Sequence, residues 1–379
     1  MAGGRHAMTA AASLWEPATH AFPAERLDEF LAWAADRGAS DIAFQTAAPG
    51  RMEVDGVLVP ATATPLDSPA LAALARAIAG ETTETILRGG RAIDCSHAIA
   101  AHRTRTLRRF RVNMSPVLVA GATGINISIR VLPQHPPTFD ELGIEPEIRE
   151  AWRRTRGLTI VTGVPGSGKS TLLAAGTRSL LERGAGRIHA LEAPIEFVFD
   201  SIEAPDSLMS SSEVPRHFAS FAEGLRASLR RRPAAVVVGE ARDLETVEAV
   251  VRAADYGIAV YTTAHTIGVA ATVRRLLAEF PAHQRAERGA ALVDQLTLVV
   301  TQCLVPSPAA GRTALREWLV LPPDLKESLL ESPQETWPAA IAEAVETTGN
   351  TLAAAARSAF AAGRMHRRDL IRLEAASPS

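Results

Sequence analysis

The stretch 158-LTIVTGVPGSGKSTLLAAG-176 sets a glycine-rich turn between an apolar, β-prone run and a helix. Leu158 to Thr162 have the composition of a buried strand, and Leu172, Leu173, Leu180 and Leu181 then recur at helical spacing until Gly184. Gly163, Gly168, Lys169 and Ser170 fit G-x-x-x-x-G-K-[ST] without a mismatch. The glycines allow backbone N–H groups to turn inward around a β-phosphate at a helix N-terminus. Lys169 adds a positive charge, and Ser170 offers a hydroxyl for Mg²⁺. The strand-loop-helix setting raises the pattern above chance. It makes Gly163, Val164, Pro165, Gly166, Ser167, Gly168, Lys169, Ser170 and Thr171 the expected nucleotide-binding residues.

Outward from this loop the chain separates at LPQHPPTFDELG, residues 132–143, where three prolines precede a helix-starting TFDE. Before it, FPAERLDEFLAWAADRG and SPALAALARAIAG read as amphipathic helices. DIAFQ, RMEVDGVLVP, AIDCSHAIA, LRRFRVNMSPVLV and INISIRVLP read as strands, which together with the helices make a small α+β domain. After it, LTIVT, IHALE, AAVVVGE and IAVYTTA alternate with helical or loop segments, the signature of an α/β domain with a parallel, doubly wound sheet. Beyond Pro323 the chain turns alanine-rich and helical, a packing or contact appendage.

With 379 residues, 47% hydrophobic and 22% charged, and a formal net charge of −2, two domains of a soluble intracellular protein are expected. Cys95 and Cys303 show no C-x-x-C spacing, so neither a disulfide framework nor a zinc site is indicated. No apolar run approaches the roughly 18 residues of a membrane span, so membrane association is expected to be peripheral. MAGGRHAMTAAASLW is read as an untethered tail rather than a signal peptide, because its apolar part is short and interrupted.

A second group of chemical residues gathers at strand ends. AAVVVGEARDLET delivers Glu240 at the carboxyl end of a strand, where it could hold Mg²⁺ or polarise the attacking water. Glu192 and Glu196, around Pro194 in ALEAPIEFVF, fall near the same edge; a glutamate there could serve as general base. His265 ends IAVYTTAHT, where it could sense a γ-phosphate or simply be a satisfied structural histidine.

From about residue 27 to 322 the chain resembles the secretion ATPases of the pilus-retraction and type II/type IV secretion superfamily. It carries GVPGSGKST, the acidic box LEAPIEF, RRRPAAVVVGEARDLET and the histidine box TTAHT in that order. LRRFRVN, LEAPIEFVFD, VPRHFASFAEGLRASLRRRP and TALREWLV look most like the Dot/Icm type IVB secretion ATPase and the related IncI-type plasmid-transfer ATPase. The resemblance implies a homo-hexamer of subunits, each a PAS-like domain joined flexibly to a RecA-like P-loop NTPase domain, with ATP bound between them. In these terms the chain divides into a flexible tail (1–22), a PAS-like domain (23–131), a linker (132–143), a RecA-like ATPase domain (144–322) and a helical C-terminal region (323–379). By matching position, Lys169 and Ser170 bind phosphate and Mg²⁺, Glu196 is the catalytic glutamate, Glu240 the Walker B glutamate, and His265 the histidine-box residue. Arg111 and Arg130 match N-terminal-domain arginines that reach the triphosphate. The implied setting is cytoplasmic, held at the inner membrane by secretion or transfer components.

Two departures accompany the resemblance. Ala193 stands where the acidic box commonly has aspartate, and Tyr256-Gly257-Ile258 replaces the Thr-Gly-His element of pilus motors. The basic runs 102-HRTRTLRRFR-111 and 226-RASLRRRP-233 invite a nucleic-acid reading. A slightly acidic chain with 5% aromatics fits solvated or subunit-facing arginines better. A nucleic-acid translocase, a pilus-type motor and a weakly hydrolysing nucleotide-gated scaffold stand as alternatives to the secretion motor.

Overall fold

The computed structural model describes residues 14–15, 22–54, 57–100, 107–133, 135–309 and 311–376. Most of the expected tail, and residues 102–106 of the first basic run, lie outside the described residues. The chain divides into two units, Met1–Gln134 and His135–Ser379.

In the first unit, α1 (Leu27–Asp36) leads into a hairpin series β1 (Ala39–Gln45), β2 (Pro49–Val54) and β3 (Val57–Pro65). Helices α2 (Ser68–Ala79) and α3 (Thr83–Arg88) follow, then strands β4 (Ile93–Ala100), β5 (Leu107–Val119) and β6 (Ala122–Val131). Asp67 caps α2 by accepting the Ala70 N–H at 2.8 Å, with Pro69 set where a missing donor is harmless. The strands make an antiparallel sheet in the order β3-β2-β1-β6-β5-β4. Alternation sends Phe110, Val112, Met114, Ile127 and Ile129 into one core with Phe30, Leu31, Leu71 and Leu74 of the helices. Trp15 and Phe22, expected in a free tail, belong to this core. Their rings lie 4.9 Å apart, and Trp15 N–H donates to the Ala61 carbonyl at 2.9 Å. The correction has a simple cause: burying two large aromatic rings outweighs the entropy lost in ordering them.

The second unit begins with residues expected to be linker, yet Phe139 among them is buried in its core, beside Ile144 at the start of the expected ATPase domain. The TFDE segment supplies a capping box without a helix. Thr138 N–H donates to Glu141 Oε2 at 2.6 Å, and Glu141 N–H donates to Thr138 Oγ1 at 3.1 Å, but only turns follow. The ordered elements are α4 (Pro146–Trp152), β7 (Gly157–Thr162), α5 (Lys169–Glu182), β8 (Gly186–Glu192), β9 (Ser207–Glu213), α6 (Phe221–Leu229), β10 (Ala235–Val238), α7 (Leu244–Asp255) and β11 (Ala259–Ala264). They continue as α8 (Val269–Glu279), α9 (Arg285–Gln295), β12 (Leu296–Pro306), β13 (Arg312–Val320) and α10 (Pro323–Glu331), followed by α11 (Trp337–Thr348), α12 (Leu352–Ala361) and α13 (Arg367–Ala376).

The sheet order is β13-β12-β7-β11-β10-β8-β9, parallel throughout except for the β12–β13 hairpin. That antiparallel edge modifies the all-parallel expectation, because a short turn after Pro306 leaves no room for a crossover helix. The α-helices bury both faces, one core holding α6–α9 and the other α4 and α5. The C-terminal helices join in. Trp337, Ile341 and Val345 of α11 enter the first of these cores, while α12 packs on Leu315 of β13.

Trp152 shows how tightly the second face is fitted. Its ring stacks on Tyr261 with centroids 5.0 Å apart, and it lies where a Cβ on Gly176 of α5 would fall, 2.1 Å from Trp152 Cε2. Alanine at an ordinary helical glycine stabilises. Here Gly176→Ala is expected instead to destabilise by about 1–3 kcal/mol through overpacking, read as a lower urea midpoint with an unchanged slope.

Candidate nucleotide site

Strand β7 delivers its carboxyl end to the loop between Gly163 and Gly168, and α5 begins at Lys169. The loop needs its glycines for two distinct reasons. Gly163 has φ +145°, and a Cβ there would sit 2.3 Å from the Gln302 carbonyl oxygen. Gly168 is left-handed at φ +83°, and its Cβ would meet Gln302 Nε2 at 2.7 Å. The loop therefore lies directly on β12, whose pairing with β7 runs Val300 opposite Val161 and Thr301 opposite Thr162.

Because β7, β8, β10 and β11 are parallel, the residues that follow their carboxyl ends collect on one edge, as open α/β sheets require for a ligand site. Lys169, only 7% exposed, donates from Nζ to the carbonyls of Gly163 at 2.8 Å and Val164 at 3.1 Å. It also lies 3.4 Å from His265 Nδ1, while His265 Nε2 lies 3.2 Å from Glu240 Oε1. A lysine ammonium can only donate, so a hydrogen bond to Nδ1 makes that atom the acceptor and leaves the ring proton on Nε2, directed at Glu240. The order Lys169, His265, Glu240 is thus a donor chain ending on a carboxylate. Burial pulls the Lys169 pKa down, and the nearby carboxylates of Glu240 and Glu196 oppose that shift. Glu196 therefore belongs to the same electrostatic neighbourhood.

Neighbouring hydroxyls fix this chain in place. Thr162, the last residue of β7, donates to the Thr266 carbonyl at 2.7 Å and accepts the Thr266 N–H at 3.0 Å, holding the residue after His265. Thr263 donates to the Gly239 carbonyl at 2.5 Å, tying β11 to the residue before Glu240. In the acidic box, Glu192 Oε2 accepts the Glu196 N–H at 3.4 Å, and buried Glu213 at the end of β9 accepts the Ile195 N–H at 3.3 Å. A cavity of about 220 Å³ opens beside Glu240 and His265, lined also by Arg242, Thr272, Arg275 and Glu279.

The structure brings Lys169, His265, Glu240 and Glu196 together from four separate segments. Arg111 and Arg130 sit in the first unit, directly opposite each other on β5 and β6. Arg130 Nε also donates to Asp41 Oδ1 at 2.9 Å. Ala193 precedes Pro194 at the acidic box, on the site's side of the sheet. Gly257, in the replaced Thr-Gly-His element, instead makes a left-handed turn (φ +79°) before β11, at the opposite end of that strand from His265. Glu213 and Gln302 lie outside the sequence boxes, while Thr263 and Thr266 lie within TTAHT and Thr162 just before GVPGSGKST, with no role that the boxes themselves mark. Only strand pairing places them here.

Residues 18–372 match the type II/IV secretion system protein family, and the chain belongs to that family. It is 33% identical to the type IV pilus retraction ATPase PilT of Pseudomonas aeruginosa over 306 residues, covering 80% of this chain and 85% of PilT. It superposes on the X-ray structure of the Legionella pneumophila ATPase DotB with a TM-score of 0.84 and 36% identity, spanning 96% of this chain and 99% of DotB. The pilus retraction motor PilT with bound ADP superposes with a TM-score of 0.79 and 28% identity, spanning 93% and 97%. The second unit accordingly contains the RecA-like fold, and the chain is a P-loop ATP hydrolase.

Thr162→Val removes the hydrogen bonds that Thr162 Oγ1 makes with the Thr266 carbonyl, N–H and hydroxyl while keeping the side-chain volume. Steady-state phosphate release at saturating ATP is expected to fall about tenfold, with a stability loss of about 1–3 kcal/mol.

Proposed function

We propose that this chain is a Mg²⁺-dependent, homo-hexameric ATPase that energises a type IVB secretion or conjugative transfer machine through ATP-driven movements of its two units. The observation that carries the catalytic part is the Lys169-His265-Glu240 arrangement beside a complete phosphate loop. The secretion part is supported by the end-to-end likeness to DotB.

In this reading the backbone of Gly163 to Thr171 and the start of α5 bind the phosphates, and Lys169 exchanges its two loop carbonyls for phosphate oxygens. The hard-oxygen donors present, the Ser170 hydroxyl and the Glu240 carboxylate, fit Mg²⁺, which binds through few protein groups together with phosphates and water. When bound, the ion neutralises developing charge on the phosphates. Glu196 takes the proton of the attacking water, and His265, held by Thr162 and Thr266, links that edge of the site to Glu240. Arg111 and Arg130, side by side on the first unit, are assigned to stabilise the transferring phosphoryl group. Such an arginine contributes about 10³-fold or more where it acts as a finger. Membrane attachment would come through inner-membrane components of the machine. Among the described residues no helix is long and apolar enough to cross a membrane.

The likeness to PilT favours a pilus-type motor as the second reading. The two share ATP chemistry and differ in what the ring moves, so complementation of a secretion-deficient or a retraction-deficient strain separates them.

Specific ATPase activity of the purified protein is expected to rise with protein concentration, as subunits complete one another's sites, and to vanish in Lys169→Ala. Glu196→Gln is expected to retain nucleotide binding and lose about 10²–10⁴ in turnover. A flat concentration dependence would remove the hexamer, and full activity in Glu196→Gln would remove its role as base. Crosslinks that fix residues 132–137 are expected to abolish transfer, and intact transfer would exclude the moving-unit mechanism.

A further inference from the structure

Behind the phosphate loop lies a buried polar path that none of the nucleotide-contacting groups accounts for. Gln302 of β12 is 4% exposed and Arg316 of β13 is 3% exposed. Arg316 Nε donates to Gln302 Oε1 at 2.8 Å, and Gln302 Nε2 donates to the Ser167 carbonyl at 2.7 Å. The amide orientation of Gln302 is fixed by this network, because a guanidinium offers no acceptor and a carbonyl no donor. The other guanidinium nitrogens donate to the Leu142 carbonyl at 3.0 Å, the Gly143 carbonyl at 3.3 Å and Glu145 Oε2 at 3.2 Å. One unbroken path therefore runs from residues 142–145 through β13 and β12 into the loop.

We infer that Arg316 and Gln302 form a positioning relay that orients the Ser167–Gly168 peptide of the phosphate loop for nucleotide binding. The inference rests on the chain's reading as an ATP-binding protein and adds residues outside its phosphate loop, acidic box, Walker B stretch and histidine box.

In a planar trans peptide the carbonyl and the following N–H point in opposite directions. Pinning the Ser167 carbonyl onto β12 turns the Gly168 N–H away from β12, and backbone N–H groups of this loop are the phosphate donors. The same contact explains why residue 168 has no side chain, since a Cβ would occupy the place of Gln302 Nε2. A buried arginine is a costly way to fill space, and well-packed apolar residues often serve stability equally well or better. Burial lowers the Arg316 pKa, and Glu145 counteracts that by its charge and hydrogen bond. What the guanidinium offers that an apolar side chain would not is directional hold on Gln302 and on the 142–145 backbone at once.

Gln302→Glu keeps shape and keeps an acceptor for Arg316, but sets a carboxylate against the Ser167 carbonyl. Gln302→Met removes the donor without adding charge. Glu145→Ala loosens the outer end, whereas Glu145→Gln preserves an acceptor for Arg316. Fluorescent mant-ADP titration of the full-length protein is expected to show Kd raised about tenfold in both Gln302 variants. The KM for ATP should rise by more than kcat falls. Glu145→Ala should weaken binding, and Glu145→Gln should restore it. Equal affinity of wild type and both Gln302 variants would overturn the relay while leaving the ATPase reading intact; a wild type that binds no mant-ADP would overturn that reading itself. Loss of the folded far-UV signature in both Gln302 variants would make the path a structural one, and would also overturn the proposal.

Discussion

The close approach of the phosphate loop to β12 is the constraint on which the site depends. At Gly163 the backbone passes so near the Gln302 carbonyl that a single Cβ would overlap it, and at Gly168 the left-handed turn leaves room only for the Gln302 amide. A loop held this tightly presents its N–H groups in a fixed array, so little ordering is left to be done when a phosphate arrives. The strand it leans on is in turn fixed by pairing with β7 on one side and β13 on the other. Two apolar cores, one on each face of the sheet, hold all three in register.

Around that fixed loop the groups with chemistry differ in exposure. His265 and Glu240 are partly exposed, with side chains 45% and 28% accessible, while the threonines that position them are bonded to main chain. Rigid backbone with accessible side chains lets the donor chain reorganise around a phosphate without disturbing the sheet. Lys169, resting on two carbonyls of its own loop, has satisfied partners in this state and a ready exchange for phosphate oxygens.

The C-terminal helices belong to the same mechanical body. Trp337, Ile341 and Val345 complete the core beneath α8, and the Trp318 N–H donates to the Asn350 carbonyl at 3.1 Å. Glu317 ties the two layers further, accepting the Val269 N–H at the start of α8 at 2.8 Å and the Leu352 N–H of α12 at 3.5 Å. The alanine-rich composition suits this role, because small side chains let helices approach an existing surface closely and order at little entropic cost.

Much of this was legible in the amino-acid sequence, and for a local reason. The P-loop, the strands before and after it, and the order of the four boxes are short-range patterns, set by residues that neighbour one another along the chain. The same holds for the first unit, where the strand runs fall on β1, β4, β5 and β6 to within a few residues, while RMEVDGVLVP covers parts of both β2 and β3. Strand β9 escaped because its run SLMSSSE lies at the sheet edge and has no apolar face to betray it. The burial of Trp15 escaped because it depends on partners distant in sequence, among them Ala61. For the same reason no local pattern reveals the contacts of Gln302 and Thr162, whose partners lie 135 and 104 residues distant. Local pattern marked which residues are assigned to phosphate; only tertiary packing, which brings separate strands to one edge, decided what holds them there.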